Sequence, residues 1–208
     1  LTKEDETRVA QYQAQSKRRA AKSTSASLDE YLHSLEIEIV ITPASREASA
    51  RLVQLFNKTN QFNLTTQRYQ AEDVGKFMAS AETILYDLQV KDRFGNHGLV
   101  GAAVVRKGPG VWHIDSLLMS CRVMGLGIET AFLERICSDA AGAGVMRLVG
   151  EFRATKKNYP VKEFYAQHGF GLLKEDEEHQ EWELDLSQAA IARPAWIRVS
   201  KERTSDDR

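Results

Sequence analysis

The sequence predicts an α/β (α+β) fold: a mixed, mostly antiparallel central sheet flanked by helices and preceded by an N-terminal helical arm. Three observations predict it. Residues 82–119 read as three consecutive strands separated by short glycine-containing turns, the pattern of an antiparallel meander. Helical periodicity brackets that meander on both sides. A glycine-rich turn, "CRVMGLG" (121–127), joins its last strand to an amphipathic helix.

In chain order, residues 1–24 are polar and charged, with Thr2 and Asp5 ahead of a helix and only Val9, Tyr12 and Ala20 as sparse apolar positions. Such a helix has too little apolar surface to stabilise itself and must lean on another surface. "KSTSAS" (22–27) has linker composition, and "SLDEYLHSL" reads as a short amphipathic helix. "EIEIVIT" (36–42) alternates, placing Ile37, Ile39 and Ile41 on one face of a strand. "SREASARLVQLFNKT" is a helix with Ala48, Leu52, Leu55 and Phe56 at helical spacing; "NQFNLTTQRY" is a polar loop; "AEDVGKFMAS" is a second helix, weakened by Gly75. "TILYDLQVKDR" is a strand with Ile84, Tyr86, Leu88 and Val90 on one side, and "FGNHG" a turn. The nearly all-apolar "LVGAAVVR" is expected to be a central strand covered on both faces. "KGPG" turns the chain into "VWHIDSLLM". After the glycine turn, Ile128, Ala131, Phe132, Ile136 and Ala140 line the buried stripe of a helix that Gly142 and Gly144 end. "VMRLVGEF" is a strand, "PVKEFYAQHGF" a helix opening on Pro160, and "EWELDL" a last strand. Beyond Leu186 the pattern fades, and the chain there is expected to be loosely held. The division is thus 1–35 arm and linker, 36–186 folded domain, 187–208 tail.

Composition excludes several classes. With 28 Lys+Arg against 29 Asp+Glu, the formal net charge is −1, which argues against a general nucleic-acid binder. No apolar run approaches the roughly 20 residues that cross a bilayer, and no signal-peptide pattern opens the chain, so no membrane role and a cytoplasmic location are expected. Cys121 and Cys137 are the only cysteines, and neither they nor the histidines show metal-ligand spacing. Leu1 in place of methionine suggests a piece of a longer protein.

The glycine turn has a mechanical reading. Glycines accept positive φ and permit close backbone approach. The first helical turn leaves its amides unpaired, and the helix dipole adds positive potential there. Together they favour an anion, most simply a diphosphate, so Arg122, Val123, Met124, Gly125, Leu126, Gly127 and Ile128 form a candidate cradle. Asp115, on the strand before the turn and between Trp112, Ile114 and Leu117, is a candidate general base; burial in apolar surroundings would raise its pKa. Lys156 and Lys157 could meet a phosphate or an acidic partner.

"R-x-x-G-x-G" at Arg122, Gly125 and Gly127 resembles motif A of the GCN5-related N-acetyltransferase (GNAT) fold. "NYPVKEFYAQHGF" resembles its motif B at Asn158, Tyr165, Gly169 and Phe170. The element order of residues 36–186 agrees. The resemblance implies binding of coenzyme A or an acyl-CoA, with the strand edge at Leu117, Leu118 and Met119 pairing with pantetheine amides and Asn158 bonding the same arm. It also implies that Tyr165 protonates the leaving thiolate, and that Asn60, Gln61, Asn63, Thr65 and Thr66 border the acceptor. More narrowly, "NKTNQFNLTTQRY", "VKDRFGNHGLVG" and "LLMSCRVMGLGIE" resemble the C-terminal part of FkbH-like proteins, which join a haloacid-dehalogenase (HAD) type domain to a GNAT-like one. That family implies loading of a glyceryl unit onto the phosphopantetheine of an acyl carrier protein in polyketide synthesis. No D-x-D strand end is present, so a HAD-type domain elsewhere would carry the phosphotransfer. Two rival readings remain open: a non-catalytic carrier-docking module, and an independent acetyl-CoA-dependent N-acetyltransferase.

Overall fold

A computed structural model describes residues 3–200. Nine strands form one sheet in the order β7-β8-β6-β5-β4-β3-β1-β9, with β2 paired off this path to β5. The strands are β1 (Ile37–Pro43), β2 (Phe62–Asn63), β3 (Thr83–Asp92), β4 (Gly95–Lys107), β5 (Val111–Met119), β6 (Arg147–Arg153), β7 (Gly171–Glu175), β8 (His179–Asp185) and β9 (Ile197–Val199). The helices are α1 (Lys3–Thr24), α2 (Leu28–Ser34), α3 (Ser49–Lys58), α4 (Ala71–Ala79), α5 (Ile128–Gly142) and α6 (Phe164–Gln167). Only the β5–β6 and β1–β9 pairs are parallel among the described strands.

Two apolar layers sandwich the sheet. On one side Leu52, Leu55 and Phe56 of α3 and Val74 of α4 pack on Leu85, Ala102, Val104 and Leu118. On the other, Phe132 and Ile136 of α5 pack with Tyr86, Leu88, Ala103, Val105 and Ile114. Adjacent residues of β4 therefore face opposite layers, as its unbroken apolar run predicts for a strand buried on both faces. The stripe of α5 is buried as its periodicity predicts.

The helical arm is held by charge as well as by packing. Arg18 Nε donates to Asp92 Oδ2 at 2.6 Å, and His97 Nε2 lies 3.1 Å from the same oxygen. Asp92 Oδ1 accepts from the amides of Phe94 and Gly95. Burial alone would raise the Asp92 pKa, but the bonds from His97 and Arg18 outweigh it and hold the carboxyl below its usual range.

Four expectations are corrected. The loop at 60–69 contains β2, which pairs Phe62 with Met119 and Asn63 with Leu118. "FGNHG" lies mostly inside β4, because the β3–β4 pairing runs down to Asp92 opposite Gly95. The helix expected from Pro160 is broken into a 3₁₀ turn (Tyr159–Val161) and the four residues of α6. Within the tail, residues up to 200 are held: β9 adds a parallel edge to β1, and Ser200 N donates to Ile39 O at 2.9 Å, while 201–208 lie outside the described residues.

Candidate functional site: a filled fork beside a cationic cavity

β5 and β6 run together only from Val111 opposite Arg147 to Ile114 opposite Gly150, then diverge. The fork they open is where the exposed edge of β5 was expected to take a ligand. The chain fills it. Leu64 N donates to Leu117 O at 3.0 Å, and Arg153 N on β6 donates to Leu64 O at 2.8 Å. Thr65 Oγ1 donates to the Asp115 carbonyl at 2.9 Å. The backbone of Leu117, Leu118 and Met119 is therefore engaged by residues 62–64, and their side chains are fully buried core.

Asn158 locks this plug. Its amide donates to Asn63 O at 2.9 Å and Arg153 O at 2.8 Å, and its Oδ1 accepts from the amide and hydroxyl of Thr155 at 2.8 and 3.0 Å. All its donors and acceptors serve the fold, which corrects its assignment to a pantetheine arm. Tyr165 is likewise displaced from the expected role. It is buried, its hydroxyl has no partner, and its ring lies flush on β6, where a Cβ on Gly150 would meet it at 2.3 Å. Burial pushes its pKa far up. Asp115 does not sit in an apolar pocket either: its carboxylate pairs with the Arg106 guanidinium, whose pKa the pair raises. The two expected catalytic groups thus differ: Asp115 is ion-paired at the surface of the sheet, and Tyr165 is buried with its hydroxyl unpartnered.

The polar loop splits. Asn63 and Thr65 are buried; Asn63 Oδ1 accepts from Thr66 N at 2.8 Å and its amide donates to Thr59 O at 3.1 Å. That is a self-satisfied Asx turn, with Thr66 at φ 53. Asn60, which accepts from Arg68, and Gln61 instead line a neighbouring cavity.

The glycine turn has the predicted geometry and an unpredicted occupant. A 3₁₀ turn (Cys121–Val123) leads through Met124 to Gly125 at φ 73, Leu126 and Gly127 at φ 80, and Gly127 is the N-cap of α5. Val123 and Ile128 are buried, and Met124 and Leu126 pack partly against the core. Glu129, in the first turn of α5, points its carboxylate back at this backbone. The amides of Glu129, Gly125 and Gly127 favour its charged form, but burial dominates and raises its pKa. Its Oε2 is buried without a hydrogen-bond partner. From the other side, Pro194 and Trp196 pack so closely that a Cβ on Gly127 would meet them at 3.0 and 3.1 Å. Trp196 Nε1 donates to Leu126 O at 2.8 Å. Glu129 and Trp196 thus stand on either side of the turn at which a diphosphate was expected.

Next to the turn lies a cavity of about 820 Å³, lined by Arg51, Lys58, Arg122, Lys156 and Lys157 and by no carboxylate. Among the described residues none of these five cations forms an ion pair, and Arg122 bonds only its neighbour, with its Nε donating to Ser120 Oγ at 3.2 Å. Arg122 is half-buried; burial and then the charge of Arg51 lower its pKa. Arg51, Lys58, Lys156 and Lys157 are exposed and Arg122 is partly desolvated; five cations gathered on one cavity raise the local positive potential and favour an anion there. The volume falls in the range of small-molecule sites, about 300–1,000 Å³. The exposed thiol of Cys121 also faces this cavity. Arg51 and Lys58 were missed by the sequence reading, although they stand seven apart on α3, away from its buried stripe.

No protein-family model matches the chain, and no curated protein matches its sequence. Solved structures do match. The ribosomal-protein-S18-alanine N-acetyltransferase of Escherichia coli superposes with a TM-score of 0.57 at 13% identity, over 73% of this chain and 96% of that one. The PaiA N-acetyltransferase of Thermoplasma acidophilum, solved in complex with coenzyme A, gives 0.53 at 12% identity over 71% and 98%. A domain from Methanocaldococcus jannaschii gives 0.58 at 13% over 72% and 99%. The domain has the GNAT fold. At these identities the likeness extends to the fold alone, and the fork and the cradle of this GNAT-fold domain are filled by its own chain.

Proposed function

We propose that this GNAT-fold domain docks the phosphopantetheine thioester of an acyl carrier protein, presenting its acyl group to chemistry supplied by another domain. The observation that carries the reading is the cationic cavity: five positive side chains with no carboxylate among its lining residues. Carrier proteins are acidic, and their prosthetic arm is attached through a phosphate, so both partner surface and arm complement the site. Asn60 and Gln61 at the cavity wall offer amide groups to a polyhydroxylated acyl unit such as glyceryl. The resemblance to FkbH-like proteins supports a HAD-type domain of a longer protein as the catalytic partner in polyketide assembly.

Catalysis by this domain with Asp115 as base and Tyr165 as acid is the weaker reading, because one is ion-paired and the other is buried. The same holds for an independent acetyl-CoA-dependent N-acetyltransferase.

Calorimetric titration with a carrier protein in its apo and phosphopantetheinylated forms tests the proposal. The modified form should bind at least about tenfold more tightly, a difference of about 1.4 kcal/mol. A protein carrying Arg122→Ala, Lys156→Ala and Lys157→Ala should lose that preference. Equal binding of both forms, indifferent to the three cations, would refute it.

A further inference from the structure

The cationic cavity and the glycine turn share Cys121 and Arg122, yet only the cavity is open to an anion. At the turn, the Glu129 carboxylate is buried, with its Oε2 unpartnered among the described residues, beside the amides of Gly125 and Gly127, the groups that would hold diphosphate oxygens. A carboxylate fixed on the same backbone competes at high effective concentration with any anion arriving from solution. The tail closes the other side. β9 pairs Ile197 with Ile37 and Val199 with Ile39, which holds Trp196 against Gly127 with its indole N–H on Leu126 O.

We propose that Glu129 and Trp196 are specificity determinants that reserve this domain for phosphopantetheine carried on a protein and exclude free coenzyme A. The inference rests on the docking reading of the cavity. A protein-linked arm presents one phosphodiester, which the cavity lysines and Arg122 can meet without using the turn. Coenzyme A presents a diphosphate joined to a nucleotide, and the amides suited to that group are faced by Glu129 and covered by Trp196. Without this plug, the larger negative charge of coenzyme A would favour it at a cationic site. With the plug, the charge that should help it meets a buried carboxylate.

Calorimetric titrations of 4′-phosphopantetheine, coenzyme A and inorganic pyrophosphate test this on the wild type and on Glu129→Gln, with circular dichroism confirming the fold. Wild type should bind coenzyme A no more tightly than 4′-phosphopantetheine. Glu129→Gln should tighten coenzyme A and pyrophosphate by about tenfold, equivalent to about 1.4 kcal/mol, and leave 4′-phosphopantetheine within about twofold. Trp196→Ala opens the turn from its other side and should shift coenzyme A in the same direction. The proposal is overturned if wild type prefers coenzyme A by about tenfold and neither substitution alters the ratio. The two readings fail separately. If 4′-phosphopantetheine binds no variant while Glu129→Gln still gains pyrophosphate, docking falls and the plug stands. If 4′-phosphopantetheine binds but neither variant gains coenzyme A or pyrophosphate, the plug falls and docking stands.

Discussion

Arg18 and Arg122 both contribute to one small cavity between the arm and the β3–β4 hairpin, and they are opposites. Arg18 is buried against Asp92 and His97, its charge answered within the chain. Arg122 is half-buried beside Arg51 with no carboxylate partner among the described residues. The same contrast divides the fork from the cationic cavity. In the fork every polar group of Asn158 is satisfied by the fold; in the cavity a cluster of charges is not. A charge answered internally contributes to stability, whereas a cluster of like charges without a counter-charge raises the local potential that an anion would meet. The contrast separates the two regions better than the motifs do.

The largest effect expected from breaking this division is at Arg18. Removing one member of a buried pair leaves the other desolvated and costs about 3–5 kcal/mol; Arg18→Ala should fall at the low end, since His97 still reaches Asp92. Thermal unfolding and proteolysis of the arm would measure it, and a melting temperature unchanged by the substitution would contradict the anchoring role. Acid should mimic it. The Asp92 pKa is depressed in the folded state, so its contribution is present above the unfolded carboxyl pKa of about 3.9 and is lost as pH falls through the folded value. Arm docking should therefore weaken only in strong acid, below the ordinary carboxylate range.

Asn158→Ala comes next. It deletes four hydrogen bonds and leaves Asn63 O and Arg153 O without their amide donor. With a net worth of about 1 kcal/mol per bond and about 1–3 kcal/mol for each group left unpaired, a loss of about 2–4 kcal/mol is expected. If the fork is structural and the cavity is the site, carrier affinity measured below the new melting point stays within about twofold of wild type. A variant of native stability that no longer binds would instead place Asn158 in the ligand site.

How much of this was legible from sequence follows from where each signal lies. The strands β1, β3 and β5 and the helices α3 and α5 announce themselves by periodicity, because each buries a regular face, and β4 by an unbroken apolar run buried on both faces. β2 and β9 are two and three residues long, too short to show a period. β7 is exposed at every position and so carries no alternation. Pro160 marks a start but not a length, and α6 is only one turn. The turn at 121–127 was legible in place and backbone shape, since positive φ at Gly125 and Gly127 demands glycine. Its occupants were not: Glu129 is ordinary in the first turn of a helix, and Trp196 lies some seventy residues away, reachable only through β9 pairing. The cavity was invisible because its cations come from three separate stretches, α3, the turn and the loop after β6, each of which alone looks like a solvated surface.

The smallest predicted effect discriminates most sharply between a catalytic and a structural fork. The Tyr165 hydroxyl is buried without a partner, and desolvation holds its proton on far beyond neutral pH. Tyr165→Phe removes that orphaned hydroxyl while keeping the ring that packs on Gly150. The cost of an unsatisfied buried hydroxyl is about 1–3 kcal/mol, and the new ring leaves a small void, so the net should be a gain of about 1 kcal/mol, read as a rise of a few degrees in melting temperature for a chain of this size. A general acid behaves in the opposite way. Its removal lowers turnover by about 10²–10⁴-fold and leaves stability nearly unchanged. Tyr165→Phe should therefore melt higher and, on the docking reading, leave carrier-protein affinity within about twofold of wild type. A variant of unaltered stability with that loss of turnover would return the fork to catalysis and require the segment 62–64 to move out of it.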